Sequence, residues 1–205
     1  STNFSLNQAF QENIFRKENG QNLRLGDVIR FKKNEGLEGP VNRNFTLLGD
    51  PMMMPAFPEL DIIINEIGSE LDTLRALEEI TFTGQVQSDG NLKEDFNGSL
   101  VVGVFDVKQS FKTNGQESNP YIYSLRSNAI FRGEADVIDG EFTFSFVVPK
   151  NISYQFLKGK MSLYAWDEGS NLDAGGSSRS FVIGGSNENA SSDTTPPSIN
   201  MYMND

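Results

Sequence analysis

From residue 61 onward the chain repeats one pattern, in which short runs of alternating apolar and polar residues are separated by turn residues. The clearest run contains Phe142, Phe144, Phe146 and Val148, which are apolar at every second position. Successive side chains of a β-strand point to opposite faces, so this spacing predicts a strand with one buried face. Seven similar runs predict further strands: "DIIINEI" (61–67), "EEITFTGQVQ" (78–87), "GSLVVGVFDV" (98–107), "YIYSLR" (121–126), "NAIFRGEADV" (128–137), "KMSLYAWD" (160–167) and "RSFVIGG" (179–185).

Turn signals separate these runs. The segments "SDGN" (88–91) and "IDGE" (138–141) each contain Asp-Gly, which favours a two-residue hairpin turn. Many short strands with regular turns are typical of an antiparallel, immunoglobulin-like β-sandwich, and we predict this fold for residues 61–185. Residues 69–78 are expected to form a helical turn or a loop.

The first 60 residues follow a helical pattern instead. Residues 4–15 predict a helix whose N-cap is Ser5, in a capping box with Gln8. Residues 25–34 predict a second helix, with Asp27 in its first turn and lysines near its end, as the helix dipole favours.

A short strand is predicted after the helices, because Phe45 and Leu47 occupy alternate positions. The sequence Gly49-Asp50-Pro51 would end it as a turn. Two helices and one strand are too little to bury a core of their own, so residues 1–60 are interpreted as the C-terminal end of a larger domain. At the other end, residues 186–205 are expected to be a polar linker and the first strand of a truncated following domain.

The composition excludes several kinds of chemistry. The 205-residue chain contains no cysteine and no histidine, which rules out a cysteine nucleophile, a Ser–His pair and a His or Cys zinc site within it. The formal charge of −11 argues against nucleic acid as a partner, because phosphate binding needs clustered Lys and Arg. No apolar run is long enough to span a membrane as a helix.

Two stretches together resemble a known family. "LRLGDVIRFKKN" (23–34) followed by "NFTLLGDPMMMPAFPE" (44–59) resembles the C-terminal end of gingipain-like peptidase domains, peptidase family C25. More narrowly, these stretches resemble the cell-surface sortase of the type IX secretion system of Bacteroidetes. The β part resembles the same sortases in "DFNGSLVVGVFD" and "GKMSLYAWDE", among other segments. The residues that carry the motif are Gly26, Asp27, Lys33, Asn34, Asn44, Phe45, Leu47, Leu48, Gly49, Asp50 and Pro51.

The resemblance implies a secreted cysteine peptidase or transpeptidase that removes the C-terminal sorting domain of exported cargo and can attach the cargo to a surface glycolipid. It implies that residues 1–60 are a two-helix and one-strand remnant of a caspase-like α/β domain. The family's Cys-His dyad has no counterpart here, so the chain alone should be inactive and no catalytic residue carries over. The implied partners are the rest of the peptidase chain, secreted cargo and components of the secretion machine, at the outer-membrane surface.

One loop offers a candidate metal site. Asp167, Glu168, Asn171 and Asp173 supply hard oxygen ligands at short spacing, which can hold Ca²⁺. A solvated acidic turn is the favoured alternative, because the loop lacks the spacing of an EF-hand. Asp136, Asp139 and Glu141 form a weaker version of the same pattern, which Asp139-Gly140 explains as a turn.

Two apolar features have alternative interpretations. Met52, Met53 and Met54 are interpreted as adaptable cover between packed domains, and a recognition surface is the alternative. Exposed Tyr121, Tyr123, Tyr154 and Trp166 could stack on sugar rings, although they share no common spacing. Three functions therefore stay open. A non-catalytic segment of the sortase is favoured, and a stand-alone extracellular module that binds carbohydrate or protein is the alternative. A carboxylate-based hydrolase is the weakest of the three, because no Asp/Glu pair stands out from the surrounding turn residues.

Overall fold

The computed structural model describes residues 2–34, 44–116 and 119–190, without the side chains of Thr2, Asn3, Phe4 and Leu6. It divides into two compact units, Ser1–Phe57 and Pro58–Asp205. The linker and strand predicted at the C-terminal end lie outside the described residues from 191 onward. Neither of the two described α-helices is long and apolar enough to cross a bilayer.

The first unit contains helix α1 (Thr2–Ile14) and helix α2 (Leu25–Asn34). Between them lies a short hairpin of two strands, β1 (Lys17–Glu18) and β2 (Gln21–Asn22). The turn of this hairpin consists of Asn19 and Gly20, which both have positive φ. The amphipathic face of α2 buries Val28 completely. The predicted bounds of α2 are confirmed, including Asp27 in its first turn and Lys32 and Lys33 in its last.

Two predictions for the first unit are wrong. Helix α1 already includes Thr2, so Ser5 lies inside the helix and is not its N-cap. Phe45 and Leu47 lie in an irregular segment and not in a strand. Strand residues need a neighbouring strand for their backbone hydrogen bonds, and no such neighbour runs beside this segment within the described residues.

The second unit is built mainly of strands, and most of the predicted ones are confirmed. The strands of its principal sheet are β3 (Leu60–Ile67), β5 (Glu79–Ser88), β6 (Asn91–Leu92), β7 (Gly98–Phe105), β10 (Ala129–Ile138), β11 (Glu141–Val147), β13 (Lys160–Asp167) and β14 (Leu172–Ser178). Smaller sheets contain β4 (Thr73–Ala76), β8 (Gln109–Lys112), β9 (Ile122–Leu125), β12 (Leu157–Lys158) and β15 (Val182–Ser186). A 3₁₀ turn at Glu70–Asp72 precedes β4.

The principal sheet closes into a mixed barrel of seven strands, so the predicted immunoglobulin-like sandwich is wrong. Its strands follow the order β11-β10-β7-β13-β14-β3-β5, and β5 pairs with β11 to close the ring. The pairing of β14 with β3 is parallel, through Ala174↔Leu60 and Gly175↔Asp61. A sandwich would leave two sheets with free edges, whereas here the two edges of one sheet meet.

The pairing between β10 and β11 is short. The hairpin turn at Asp139-Gly140 is confirmed, with φ values of 51° and 78°. Beyond it the two strands share only Val137↔Phe142 and Ile138↔Glu141, after which β11 pairs along β5 and β10 along β7.

The barrel interior is filled mainly by phenylalanine and branched aliphatic side chains. Phe82 is fully buried, and its ring stacks on Phe144 at 5.2 Å and on Phe146 at 6.0 Å between centroids. Phe181 meets the Phe82 ring edge-on at 6.2 Å. The alternation that predicted β11 is confirmed, because Phe142, Phe144, Phe146 and Val148 are all buried.

The strand register gives the barrel two distinct ends. At one end β7 finishes at Phe105, which pairs with Ala129 and Lys160. At the other end β7 begins at Gly98, close to Val137 and to the hairpin turns of β5–β6 and β10–β11. We call the end at Phe105 the hairpin end, because the β8–β9 pair follows Phe105. We call the end at Gly98 the turn end.

Candidate functional site

The candidate site lies at the turn end, where β13 passes through a tight turn into β14. Asp167 closes this turn and is 7% exposed. Its carboxylate accepts hydrogen bonds from the backbone N–H of Gly169 at 2.8 Å and from the hydroxyl of Ser170 at 2.8 Å. Longer bonds reach it from the N–H groups of Ser170 and Asn97. Asp167 therefore ties the β13–β14 turn to the segment that leads into β7.

These donors change the acidity of Asp167. The Ser170 hydroxyl is the largest cause and lowers the pKa of this carboxyl below its ordinary value of 3.8. Burial acts in the opposite direction, and the N–H groups of Gly169, Ser170 and Asn97 lower the pKa further. Hydrogen bonds to a carboxylate favour its charged form, so Asp167 stays ionised at neutral pH.

Two aromatic rings lie beside this turn on the outer face of β13. Tyr164 and Trp166 alternate with buried Leu163 and Ala165, and their ring centroids are 6.1 Å apart with planes 28° from parallel. The Tyr164 hydroxyl donates to the Asp173 carboxylate on neighbouring β14 at 3.1 Å. This bond is the largest cause that raises the pKa of Tyr164 above its ordinary value of 10.0.

The rings and acidic groups line a cleft of about 350 Å³. Its polar lining includes Glu168, which is exposed, and Asn171, which has a positive φ of 56°. Within the described residues neither the Glu168 carboxylate nor the Asn171 amide has a hydrogen-bond partner. A second groove of about 220 Å³ begins on the other side of Tyr164. It is lined by Val101, Gly103, Phe105, Arg132 and Ser162, among others.

The four residues predicted to bind Ca²⁺ lie around this cleft. Their donor set is partly used already, because Asp167 accepts four hydrogen bonds and Asp173 accepts one from Tyr164. Among the described residues, no group of three or more His, Cys, Asp or Glu side chains is arranged to hold a metal ion. The calcium site stays a prediction, and the geometry gives Asp167 a structural role in the turn.

Part of the motif on which the family resemblance rests lies around the start of α2 in the first unit. The backbone N–H groups of Leu25 and Gly26 donate to the carbonyl oxygens of Met53 and Pro51, both at 2.9 Å. Asp27 pairs with the guanidinium groups of Arg24 at 2.8 Å and Arg30 at 3.2 Å. Residues 51–53 therefore satisfy N–H groups that a helix leaves without partners at its N-terminus.

The turn predicted in the same motif is confirmed. The Asp50 side chain accepts a bond from the Met52 N–H at 2.8 Å, and its carbonyl accepts one from the Met53 N–H at 3.3 Å. Four further motif residues differ in exposure: Asn44 is exposed, Leu47 is half-buried, and Phe45 and Leu48 are 40% and 94% exposed. Gly49 adopts a positive φ of 147°.

The sequence left alternative roles for three methionines and four aromatic residues. Met52, Met53 and Met54 are each more than half exposed, and Phe57 packs on the ring of Phe15 at 4.9 Å. Of the four aromatic residues proposed to stack on sugars, only Trp166 lies at the cleft, while Tyr121, Tyr123 and Tyr154 belong to the hairpin end. The second ring at the cleft is that of Tyr164, which was not among the predicted aromatic residues. Its alternation with Leu163 and Ala165 was the signal that could have shown this.

Comparison with known proteins informs the fold of this chain. No protein-family model matches the sequence, and no curated protein matches it. Two solved structures, sporulation control protein Spo0M from Bacillus subtilis and superoxide reductase from Ignicoccus hospitalis, have TM-scores of 0.35 and 0.31. They share 14% and 10% identity, over 62% and 60% of this chain and 49% and 80% of theirs. Such scores are too low to carry an argument.

A solved structure of dimeric latent PorU from Porphyromonas gingivalis is more similar. It has a TM-score of 0.59 and 23% identity over 86% of this chain. That share is larger than either compact unit alone, so the similarity extends into both. The chain spans about 18% of the length of the PorU chain. The chain therefore shares the fold of a segment of PorU.

Proposed function

We propose that this chain is a non-catalytic segment of a cell-surface peptidase of the sortase type, which removes the C-terminal sorting domain of type IX secretion cargo. The observation that carries this proposal is the fold similarity to a segment of PorU over 86% of the chain. The motif around Gly26 and Pro51 supports the proposal. These two residues belong to the two stretches that resemble the family, and a backbone hydrogen bond joins them.

In this proposal the segment supports catalysis that takes place elsewhere. With no cysteine or histidine, the chain cannot supply a Cys-His dyad. Its closed barrel has few unpaired strand edges and a continuous apolar core, which suits a rigid support. The proposed partners are the rest of the peptidase chain, exported cargo and the secretion machine, at the outer cell surface.

The test in solution uses a cargo sorting domain fused to a fluorescent reporter. The chain alone should release no reporter, and it should associate with the separately purified peptidase part of the same protein. Light scattering coupled to size-exclusion chromatography measures that association. Release of the reporter by the chain alone, or failure to associate at micromolar concentrations, would contradict the proposal.

A second candidate function is carbohydrate binding at the cleft. Tyr164 and Trp166 present a pair of neighbouring rings. A flat aromatic ring can cover the apolar face of a ligand while the polar groups of that ligand stay in contact with water. Glu168 and Asn171 supply a carboxylate and an amide that are not engaged by the rest of the described chain. This combination suits a neutral sugar, whose ring has an apolar face and whose hydroxyl groups donate and accept hydrogen bonds.

Titration calorimetry against soluble oligosaccharides tests this second function. Trp166→Ala should abolish any heat of binding, whereas Tyr154→Ala, which removes an exposed ring at the hairpin end, should leave it unchanged. Equal binding by both variants would remove the cleft from consideration.

A further inference from the structure

The hairpin end of the barrel exposes apolar side chains that the core does not use. Strands β8 and β9 pair only with each other among the described strands, and they carry the ring pair Phe111 and Tyr123, 5.8 Å apart. Tyr121, Ile122 and Leu125 are 66%, 65% and 51% exposed. Strand alternation places Ile122 on one face of the hairpin and Tyr121 and Leu125 on the other, so both faces expose apolar side chains. Single exposed apolar residues are ordinary, but several on one two-stranded hairpin mark an interaction site.

The same end concentrates the positive charge of an acidic protein. Four of the segments that reach it are residues 106–112, 121–128, 149–160 and 177–182. They contain seven of the 17 basic residues of the chain, namely Lys108, Lys112, Arg126, Lys150, Lys158, Lys160 and Arg179.

Arg126 connects three of these segments. Its guanidinium donates to the carbonyl oxygens of Asp106 at 2.6 Å and Lys158 at 3.1 Å. Burial is the largest cause that lowers the pKa of Arg126, and the nearby positive charge of Arg179 lowers it further. The hairpin is therefore anchored to β12 beside a second arginine.

The one acidic residue in these four segments does not neutralise the surface. Asp106 is 1% exposed. Its carboxylate accepts bonds from the N–H groups of Val107 at 2.7 Å and Ser153 at 2.8 Å, and from the Asn128 amide at 3.2 Å. Because this carboxylate lies beneath the surface, the exposed charges of these four segments are all basic within the described residues. A fifth segment, residues 68–79, also reaches this end, because Glu79 pairs with Val147. It adds the basic Arg75 and the acidic Glu70, Asp72, Glu78 and Glu79.

Acidic residues gather at the opposite end of the barrel. The turn end carries eight of them: Asp89, Glu94, Asp95, Asp136, Asp139, Glu141, Asp167 and Glu168. Counted over these five segments, the hairpin end carries eight basic residues against four acidic ones besides the buried Asp106, so its net charge is positive, whereas the net charge of the turn end is negative. A negatively charged surface would attract the hairpin end and repel the turn end, which fixes one orientation.

We propose that the hairpin end, through Lys108, Lys112, Tyr121, Ile122 and Leu125, docks on the surface of an anionic lipid bilayer. Tyrosine at the headgroup level, aliphatic side chains beneath it and lysine or arginine around it are the composition of membrane-interface segments. Five of the seven basic residues are lysines, which are depleted at protein–protein interfaces. Charge and apolarity therefore favour a lipid surface over an acidic protein.

Vesicle flotation with the full chain tests the proposal. The chain should float with mixed phosphatidylcholine–phosphatidylglycerol vesicles and not with phosphatidylcholine alone, and added salt should reduce binding. Lys108→Glu should weaken binding about tenfold, because it replaces attraction by repulsion near the surface. The control with the same charge change is Lys17→Glu, in the first unit, which should bind as the parent does.

The apolar contribution has a closely matched control. Ile122 and Ile138 are 65% and 64% exposed, at the hairpin and turn ends respectively. Ile122→Ser should weaken flotation, whereas Ile138→Ser should not, and neither should shift the melting temperature much because both side chains are in water. Equal effects of the two serine variants, or no flotation with anionic vesicles, would overturn the proposal. Capture of an acidic protein without vesicle binding would also overturn it.

Discussion

The amide nitrogen of Gly26 lies 2.9 Å from the carbonyl oxygen of Pro51, and a Cβ on Gly26 would lie 2.9 Å from both that oxygen and the Pro51 Cβ. The first contact is a hydrogen bond that caps α2, and the second shows why no side chain fits there. A glycine in the first turn of the helix thus lets the 50–54 segment approach closely. This relationship links the two halves of the family motif.

Gly26→Ala should destabilise the first unit. The added methyl must displace the Pro51 backbone, which would lengthen the capping bonds to Gly26 and Leu25. We expect a loss of about 1–3 kcal/mol, the usual cost of overpacking. Hydrogen exchange of the α2 amides measures it, with Asn7→Ala on the exposed face of α1 as the control. Unchanged protection of α2 would contradict the close-approach explanation.

Phe82→Ala should strongly destabilise the barrel. Phe82 is fully buried and contacts the rings of Phe144, Phe146 and Phe181. Truncating such a side chain typically costs about 3–5 kcal/mol. Urea denaturation measures the change, and Phe156→Ala, at a ring that is 58% exposed, should cost much less. Similar losses for the two variants would argue against this core.

Asp106→Ala should also destabilise the barrel, for a polar reason. The substitution leaves the donors of Val107, Ser153 and Asn128 without the carboxylate that now accepts from them. Buried groups left without partners cost about 1–3 kcal/mol each, and relaxation reduces the sum. Asp61→Ala, at an exposed carboxylate, is the control in the same urea experiment. Equal midpoints for the two variants would refute this role of Asp106.

The stability of the barrel should fall in acid through Asp167. Its folded pKa lies below the ordinary 3.8, so the unfolded chain takes up this proton first as the pH falls. The stabilisation is therefore complete above that ordinary value and is lost as the pH falls through the lower folded pKa. Thermal melts at a series of acidic pH values should show a smaller decline for Ser170→Ala, which removes the largest cause of the shift. An identical decline would exclude this carboxylate as the source.

Tyr164 should ionise at a higher pH than an ordinary tyrosine. The Asp173 carboxylate accepts its proton in a hydrogen bond and repels the phenolate, and both effects raise the pKa above 10.0. Subtracting the ultraviolet titration curve of Tyr164→Phe from that of the parent protein gives a difference curve for the Tyr164 hydroxyl alone. Asp173→Asn should move the difference curve to lower pH, and a curve that stays in place would show that Asp173 does not cause the shift.

The local patterns of the sequence predicted strands well but not how the sheet closes. Alternation along Phe142, Phe144 and Phe146 identified β11 because each strand carries its own signal. Strand β14 carries little of that signal, since its centre is Gly175 and Gly176, and the sequence suggested an acidic loop there. These glycines let β3 approach, because a Cβ at Gly176 would collide with the backbone oxygen of Ile62. The parallel β14–β3 pairing, without which the ring of strands would be broken, is therefore a long-range feature.

The candidate site shows the same limit. Asp167, Glu168, Asn171 and Asp173 were recognised together as one loop, because they are close in sequence. The donors that occupy Asp167 include the N–H of Asn97, which is 70 positions away, and no local pattern indicates such a contact. The exposed ring of Tyr164 was missed because its apolar neighbours suggested a core strand.

The most direct test of the proposed function is cargo processing in the source organism. Residues 58–190 are deleted from the chromosomal gene, and the size of a secreted cargo protein is followed by immunoblot alongside the amount of the truncated protein. We predict that cargo keeps its sorting domain although the truncated protein is present. Normal removal of the sorting domain in that strain would contradict a supporting role for this segment.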